Sequence, residues 1–364
     1  MKSAFYSAFV LISFCFAFIG CKDQPQEISV TVRRLEKELF AVKSPAELEV
    51  LVQKNPFLRD YFGIPKGAAD TLITNQLYSN ISNPDLQQFN EELQTQFGDL
   101  ALLKTQIQQA FGQIKAAYPD FKAPKIITAV TGFMGSDLYV SDSVIVIGLD
   151  YFGGTKAKYR PQLHAYQLRR YQEEYIVPAI LFFISQKYNK VPAEDQTLLA
   201  DMIWYGKGFE FVKHVSPETP DSLIIGYSQT QLDDVYASQQ DIWAYFLDRK
   251  LIYQTRDAEK ERFIGERPAT VEISQYCPGA IGRWVGWRIV SRYLQEKPGT
   301  KLEELMGTTN VRQILEESKY KGQKEEPFPW LYLDYNTLQN AAFANGLRCE
   351  LILEGEHYDY LARL

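Results

Sequence analysis

Apolar residues recur at helical spacing through the first third of the chain. In the segment 83–98, an asparagine followed by a proline forms a start signal, apolar residues return every three or four positions, and Gly98 forms a stop signal. The segment 42–54 opens in the same way, with Ser44 as N-cap, and the segment 100–118 continues the apolar spacing. These patterns predict that the first hundred residues after the N-terminal apolar run are mainly helical.

Two short runs, 125–132 and 143–154, are rich in β-branched residues and are separated by glycine, serine and aspartate. This composition predicts two strands of a small antiparallel sheet. Helical patterns return later in the chain, at 165–189, 192–205, 229–250, 280–296 and 310–318. The sequence therefore predicts an α+β fold that is predominantly helical and contains a small antiparallel sheet.

The N-terminal residues have the form of a bacterial signal peptide. Lys2 supplies a positive charge, residues 4–19 form an apolar run broken by two serines, and Gly20 precedes Cys21. A small residue followed by cysteine at the end of such a run resembles a lipobox, in which the thiol is acylated and the chain is cut just before it. We predict a lipoprotein signal peptide at 1–20 and a lipid anchor on Cys21. A plain signal peptide, with Cys21 incidental, is the alternative.

The segment 276–294 is rich in glycine, tryptophan and arginine. Gly282 and Gly286 fall four residues apart, on one strip of the predicted helix. Because each glycine costs a helix about 1 kcal/mol relative to alanine, two at this spacing favour the close approach of another backbone. Arg288 and Arg292 fall on a different face. We predict that these four residues form a helix-packing or partner surface, with phosphate binding at the start of the helix as the alternative.

Charge and motif content argue against several classes of function. The 364-residue chain has a formal net charge of −6, whereas nucleic-acid-binding proteins carry an excess of Lys and Arg. Its three histidines show no metal-binding spacing, and the chain has no C-x-x-C pair, phosphate-binding loop or nucleophile elbow. We therefore expect no metal site, no cofactor and no nucleic-acid partner.

Acidic residues that flank apolar segments are candidates for acid–base chemistry. They are Asp142, Asp150, Glu173, Glu174, Asp201 and Glu210. Neighbouring residues on a helix point about 100° apart, so Glu173 and Glu174 are poorly placed to act on one bond. In a chain with 45 acidic residues, solvated surfaces explain these carboxylates better, and we expect no catalytic residue among them. The alternative is a metal-independent hydrolase, which predicts one pocket joining Glu173, Asp201 and Glu210.

Several segments occur in a characteristic order along the chain. After Cys21 they are "VIGLDYFGG", "MIWYGKGFEF", "IIGYSQTQLDDV", "IWAYFLDRKLIY", "PGAIGRWVGWRIVSRYL", "LEELM" and "ILEESKYK". In this order they resemble the gliding-motility lipoprotein GldB family over residues 25–322.

The resemblance implies a lipid-anchored, non-enzymatic cell-envelope protein with a structural or assembly role in the gliding machinery. Its partners would be the membrane, through the lipid anchor, and envelope proteins of that machinery. We expect it to face the periplasm, at the outer membrane, with the inner membrane as the alternative. The family also has a remote similarity to zinc peptidases of the H-E-x-x-H type, but the corresponding helix here, 171–188, lacks both histidines. The peptidase-like fold is therefore implied without its metal chemistry.

The chain continues beyond this resemblance. Residues 323–364 begin with a polar, turn-rich stretch and then show patterns for a strand, a helix and a strand. They weakly resemble the last segment of class I methyltransferases, so a methyltransferase-related protein is a further alternative, although no nucleotide-binding glycines lie upstream. We predict a signal peptide at 1–20, an envelope domain at 21–322 and a C-terminal β-α-β appendage at 323–364.

Overall fold

A computed structural model of the protein describes residues 28–192, 194–322, 335–345, 347–354 and 360–363. Cys21 and the predicted signal peptide lie outside these residues. The chain divides into two compact units, Met1–Gln323 and Lys324–Leu364.

The first unit contains a four-stranded mixed sheet. Its strands are β1 (Val32–Arg34), β2 (Lys125–Ala129), β3 (Leu138–Val140) and β4 (Val144–Gly148), in the order β1-β2-β4-β3. The strands β1, β2 and β4 are parallel, whereas β3 is antiparallel to β4. Within the described residues, β3 is therefore an edge strand.

The predicted fold class is confirmed, but the antiparallel pairing predicted for the two apolar runs is wrong. These runs form β2 and β4, which pair in parallel because the short strand β3 lies between them in sequence and reverses the chain. Ile145 and Ile147 face one cluster of buried apolar side chains, and Val144 and Val146 face another. A strand covered on both faces shows no polar alternation, so its sequence does not reveal the pairing.

Helices cover both faces of the sheet and form most of the rest of the first unit. The first six are α1 (Leu35–Leu39), α2 (Pro45–Lys54), α3 (Phe57–Tyr61), α4 (Thr71–Ile81), α5 (Pro84–Phe97) and α6 (Ala101–Ala117). After the sheet come α7 (Ala165–Leu168), α8 (Ile176–Ser185), α9 (Leu198–Val215), α10 (Asp221–Ile225), α11 (Gln229–Ala237) and α12 (Gln239–Asp248). The unit ends with α13 (Asp257–Ile264), α14 (Ile281–Glu296), α15 (Leu302–Gly307) and α16 (Val311–Ser318).

Predicted helix boundaries in the N-terminal part are confirmed where a side chain caps the helix. Ser44 accepts a hydrogen bond from the Glu47 N–H at the start of α2 (3.3 Å), and Asn83 accepts one from the Asp85 N–H at the start of α5 (2.8 Å). The helix α5 ends at Gly98, whose φ of +54° lies in the left-handed region that suits a residue without Cβ.

Two of the later helical patterns are interrupted in the structure. The segment 165–189 divides into α7, a 3₁₀ turn at Glu173–Tyr175, and α8. Pro178 lies in the first turn of α8, where the N–H that proline lacks is not needed for the helix. The segment 229–250 forms α11 and α12, which meet at Ser238.

The helices α9 and α14 pack against each other and connect two apolar clusters. On α14, Trp287 joins the cluster beside the sheet, and Trp284 joins a second cluster formed with α9 and α12. Both indole side chains are buried. The crossing of α9 and α14 is therefore the structural centre of the helical part.

The second unit contains the helix α17 (Tyr335–Ala344) and an antiparallel pair, β5 (Glu350–Glu354) and β6 (Tyr360–Arg363). The helix and β5 correspond to predicted elements, whereas β6 was missed. The first predicted strand of this segment, at 330–335, lies largely outside the described residues.

Candidate functional site

A cleft of about 380 Å³ opens in the first unit between β3 and the helices α8, α9 and α14. Its volume is within the range of small-ligand pockets. Asp137 and Leu138 form the side at the sheet, and α8 contributes Phe182 and Phe183. Arg170, whose charge interacts with that of Asp137, lies at one end of the cleft together with Glu266 and Arg283. The cleft thus has an apolar wall and a charged end.

The sheet side of the cleft is an unpaired strand edge. The Asp137 carbonyl accepts a hydrogen bond from the Gly148 N–H (2.9 Å), and the Ser141 N–H donates one to the Val144 carbonyl (2.9 Å). Because hydrogen bonding alternates along an antiparallel strand, the backbone groups of Leu138 and Val140 point away from β4. In the described part of the chain, no strand pairs with that edge.

Aromatic rings form the apolar wall. The ring of Phe182 stacks on that of Tyr205, with 5.9 Å between centroids, and meets Trp204 edge-on at 5.8 Å. Phe183, one residue along α8, exposes 46% of its surface. Tyr171 lies next to Asp137, and burial followed by the negative charge of Asp137 raises the pKa of its phenol. The wall therefore suits an apolar side chain.

The charged end of the cleft brings together arginines from distant parts of the sequence. Arg170 forms an ion pair with Glu266. Arg283, from the first turn of α14, donates from Nε to the Ile264 carbonyl (2.6 Å), and its guanidinium lies 4.3 Å from the centroid of Tyr205. Burial and the nearby charge of Arg283 lower the pKa of Arg170. Mutual repulsion of these cations favours an additional anion at this end of the cleft.

Arg169 adds a third cation beside this end. It lines a small adjoining cavity together with Arg170 and Arg283. Its guanidinium NH1 donates to the Gln231 side chain (2.6 Å), while its buried Nε has no hydrogen-bond partner within the described residues.

The carboxylates predicted as candidates for hydrolysis do not meet in this cleft. Asp201 forms an ion pair with Lys260 (2.9 Å). Glu210 accepts hydrogen bonds from the Trp287 indole (2.8 Å) and the Ser291 hydroxyl, and burial raises the pKa of its carboxyl group. Both lie on α9, nine residues apart, which corresponds to about 13 Å along the axis. The two carboxylates therefore cannot both reach one bond of a substrate.

The remaining acidic candidates also lie outside the cleft lining. Glu173 lies on the 3₁₀ turn, where burial and the adjacent Glu174 raise the pKa of its carboxyl group. Asp142 forms an ion pair with Lys187 at the surface (2.6 Å). Asp150 is buried and accepts hydrogen bonds from the N–H groups of Thr131 (3.0 Å) and Phe133 (2.8 Å), so it holds the loop that leads from β2 to β3.

A family model for the gliding motility protein GldB matches residues 21–322. The chain belongs to the GldB family. No curated protein and no solved structure matches it. Among the described residues, no helix is both long enough and apolar enough to cross a membrane.

The predicted packing surface of this GldB-family protein lies on α14. A Cβ atom built on Gly286 overlaps the backbone of Met202 on α9, and one built on Gly206 overlaps the backbone of Gly286. Gly282 has more room, since the nearest atom to such a Cβ is the Phe263 carbonyl oxygen at 3.0 Å. The two backbones thus approach most closely at Gly286.

The two predicted arginines of α14 have internal contacts. The guanidinium of Arg288 lies over the rings of Tyr236 (5.3 Å) and Trp287 (4.7 Å). Arg292 forms an ion pair with Glu296 one turn later (2.5 Å). Neither lines the cleft.

Within the part of the chain that the structure describes, no three His, Cys, Asp or Glu side chains come close enough to hold a metal ion.

The arginines that line the cleft were not predicted from the sequence as site residues. Arg283 lies in the glycine-rich segment and the pair at 169–170 precedes an apolar helix. Only the fold shows that they meet.

Proposed function

We propose that this GldB-family protein is a lipid-anchored, non-catalytic component of the cell envelope with a structural or assembly role in the gliding machinery. The observation that carries this proposal is the family match, which extends over residues 21–322. The protein would face the periplasm, at the outer rather than the inner membrane, and would contact envelope proteins of that machinery.

The N-terminal sequence supports the lipid anchor. Cys21 follows a small residue at the end of an apolar run, and the family match begins at the same residue. Acyl chains on this thiol would bind the membrane firmly, because each buried CH₂ group contributes about 0.8 kcal/mol.

The contacts of the acidic residues support a non-catalytic role. Glu266, in the cleft, is paired with Arg170, and one carboxylate oxygen of Asp137 accepts a hydrogen bond from the Leu138 N–H (2.8 Å). The separate positions of Asp201 and Glu210 also disfavour the hydrolase alternative, which requires two carboxylates at one bond.

The anchor is tested by Cys21→Ser in the native host, with Cys15→Ser as the matched control within the apolar run. We expect metabolic labelling with a fatty acid to mark the parent and the control but not Cys21→Ser, and gliding to fail only in the latter. Crosslinking in living cells, followed by affinity capture, should then recover envelope proteins with the parent and the control but not with Cys21→Ser. Fatty-acid labelling of Cys21→Ser would refute the anchor, and normal gliding by cells that lack the protein would refute its role in motility.

A further inference from the structure

We infer that the cleft beside β3 binds the C-terminal end of an extended peptide. The peptide would add to the unpaired edge of β3 as an antiparallel strand and place its terminal carboxylate between Arg170 and Arg283. The binding itself does not depend on the lipid anchor, whereas the claim that the bound peptide serves gliding rests on the proposed function.

The unpaired strand edge is the first argument for a peptide. Edge strands present free N–H and C=O groups in a row and are recurrent sites of strand addition. Here the outward groups still available are the Leu138 carbonyl, inside the cleft, and the N–H and carbonyl of Val140, next to it, because the Leu138 N–H already donates to the Asp137 carboxylate (2.8 Å). A small amphiphile would use the apolar wall but would leave these backbone groups unused. An extended chain uses both.

The direction of β3 determines which end of the peptide meets the arginines. The strand runs from Leu138 to Val140, and Asp137, just before it, lies on the same cleft as Arg170. An antiparallel partner runs in the opposite sense, so its C-terminus lies at the Asp137 end. Antiparallel pairing is also slightly more stable than parallel pairing. The terminal carboxylate therefore falls at the cationic end of the cleft.

The charge balance supports a single carboxylate. Arg267, which also lines the adjoining cavity, is paired with Glu272 (3.0 Å). The other charges around this end are three cations, Arg169, Arg170 and Arg283, and two carboxylates, Asp137 and Glu266. The difference, three minus two, is one positive charge. A peptide carboxylate would neutralise it, and arginine binds carboxylates through two parallel hydrogen bonds.

The aromatic wall supplies specificity for the residues near the terminus. Side chains of an added strand alternate, so every second one would face the rings of Phe182 and Tyr205. Large apolar side chains fit this wall. We therefore expect the cleft to select peptides that end in a carboxylate and carry an apolar residue at or next to the terminus.

The test uses the full chain, immobilised in detergent, and a pool of short peptides with randomised residues and a free C-terminal carboxylate. The same pool with amidated C-termini is the matched control, and the retained peptides are counted by mass spectrometry. We expect the free-acid pool to be retained at least tenfold better than the amidated pool and to be enriched in apolar C-terminal residues. Equal retention of the two pools, or no retention of either, would overturn the inference.

Two variants separate the charge from the strand edge. Arg283→Gln should weaken retention of the free-acid pool at least tenfold, whereas Arg292→Gln, on the same helix but outside the cleft, should have no effect. Val140→Pro removes an outward N–H, a change that edge strands tolerate, and should abolish retention without altering the thermal midpoint. The inference is wrong if free fatty acids displace the peptides from the parent and also bind Val140→Pro as well as they bind the parent. The ligand would then be an amphiphile that does not use the strand edge.

Discussion

The crossing of α9 and α14 and the cleft beside β3 are formed in part by the same two helices. They differ in whether their charged side chains are balanced by partners within the chain. Near the crossing, the ionisable side chains of Lys207 and Glu210 on α9 have partners within the chain. The Lys207 ammonium donates to the carbonyls of Lys190 (2.7 Å) and Thr308 (2.9 Å), and Glu210 accepts from Trp287 and Ser291.

In the cleft and its adjoining cavity taken together, by contrast, arginines outnumber carboxylates, and a strand edge is unpaired in the described chain. Unbalanced charge near a concave apolar surface indicates ligand binding more strongly than buried charge that is already hydrogen-bonded. The comparison teaches that Gly286 lies where two backbones meet, whereas Arg170 and Arg283 lie where a ligand could approach. Variants of the two regions should therefore fail in different ways.

The largest effect is expected at the crossing, from Gly286→Ala. The added methyl group would overlap the backbone of Met202, and overpacking of this kind costs about 3 kcal/mol or more. Gly282→Ala, with its nearest contact at 3.0 Å, should cost about 1 kcal/mol. Chemical denaturation measures both, and Gly307→Ala, which meets nothing within 4 Å, is the control. Gly286→Ala that is as stable as the parent would contradict the close crossing.

The next effect is a pH dependence of stability due to Lys207. Burial lowers the pKa of this ammonium to about 7, so the folded state binds fewer protons than the unfolded state, whose lysine titrates near 10.4. The free energy of unfolding should therefore rise between pH 7 and about 10, by at most about 1.4 kcal/mol per pH unit. Below pH 7 both states are protonated and this contribution is constant.

Lys207→Met isolates that contribution. The variant should lose the rise in stability between pH 7 and pH 9, measured by urea denaturation, while Lys213→Met, whose ammonium pairs with Asp221 (2.9 Å), should keep it. The same pH slope in Lys207→Met and in the parent would show that other groups cause it.

The smallest effect is expected from removal of residues 323–364. The family match ends at residue 322, and a chain that stops there should be exported, lipidated and folded, with gliding retained. Pulse labelling and gliding assays measure these properties. Calorimetry of the intact protein should show no binding of S-adenosylmethionine. Degradation of the shortened chain, or tight binding of that cofactor, would contradict the prediction that this segment is an appendage.

The predictability of the fold from sequence depends on how local each determinant is. Caps such as Ser44 and Asn83 act within one helical turn, so the sequence reveals them. The parallel pairing of β2 and β4 depends on a three-residue strand between them, which is too short to give a clear pattern. The family resemblance, in turn, was visible because its segments keep their order along the chain.

The cleft is less predictable for the same reason. Arg170 and Arg283 are more than a hundred residues apart, and neither belongs to a motif with a defined spacing. Arginines in an ordinary sequence pair most often with surface carboxylates, as Arg292 does with Glu296. A surplus of cations around one cleft is a property of the tertiary structure alone.

The most direct test of this account is gliding by cells that carry Arg283→Gln in place of the parent, compared with cells that carry Arg292→Gln at the same protein level. We expect Arg283→Gln to abolish or strongly reduce gliding while the protein stays folded and lipidated, and Arg292→Gln to glide normally. The comparison matches two arginines on one helix, one inside the cleft and one outside it. Normal gliding with Arg283→Gln would contradict the claim that the peptide bound in this cleft serves gliding.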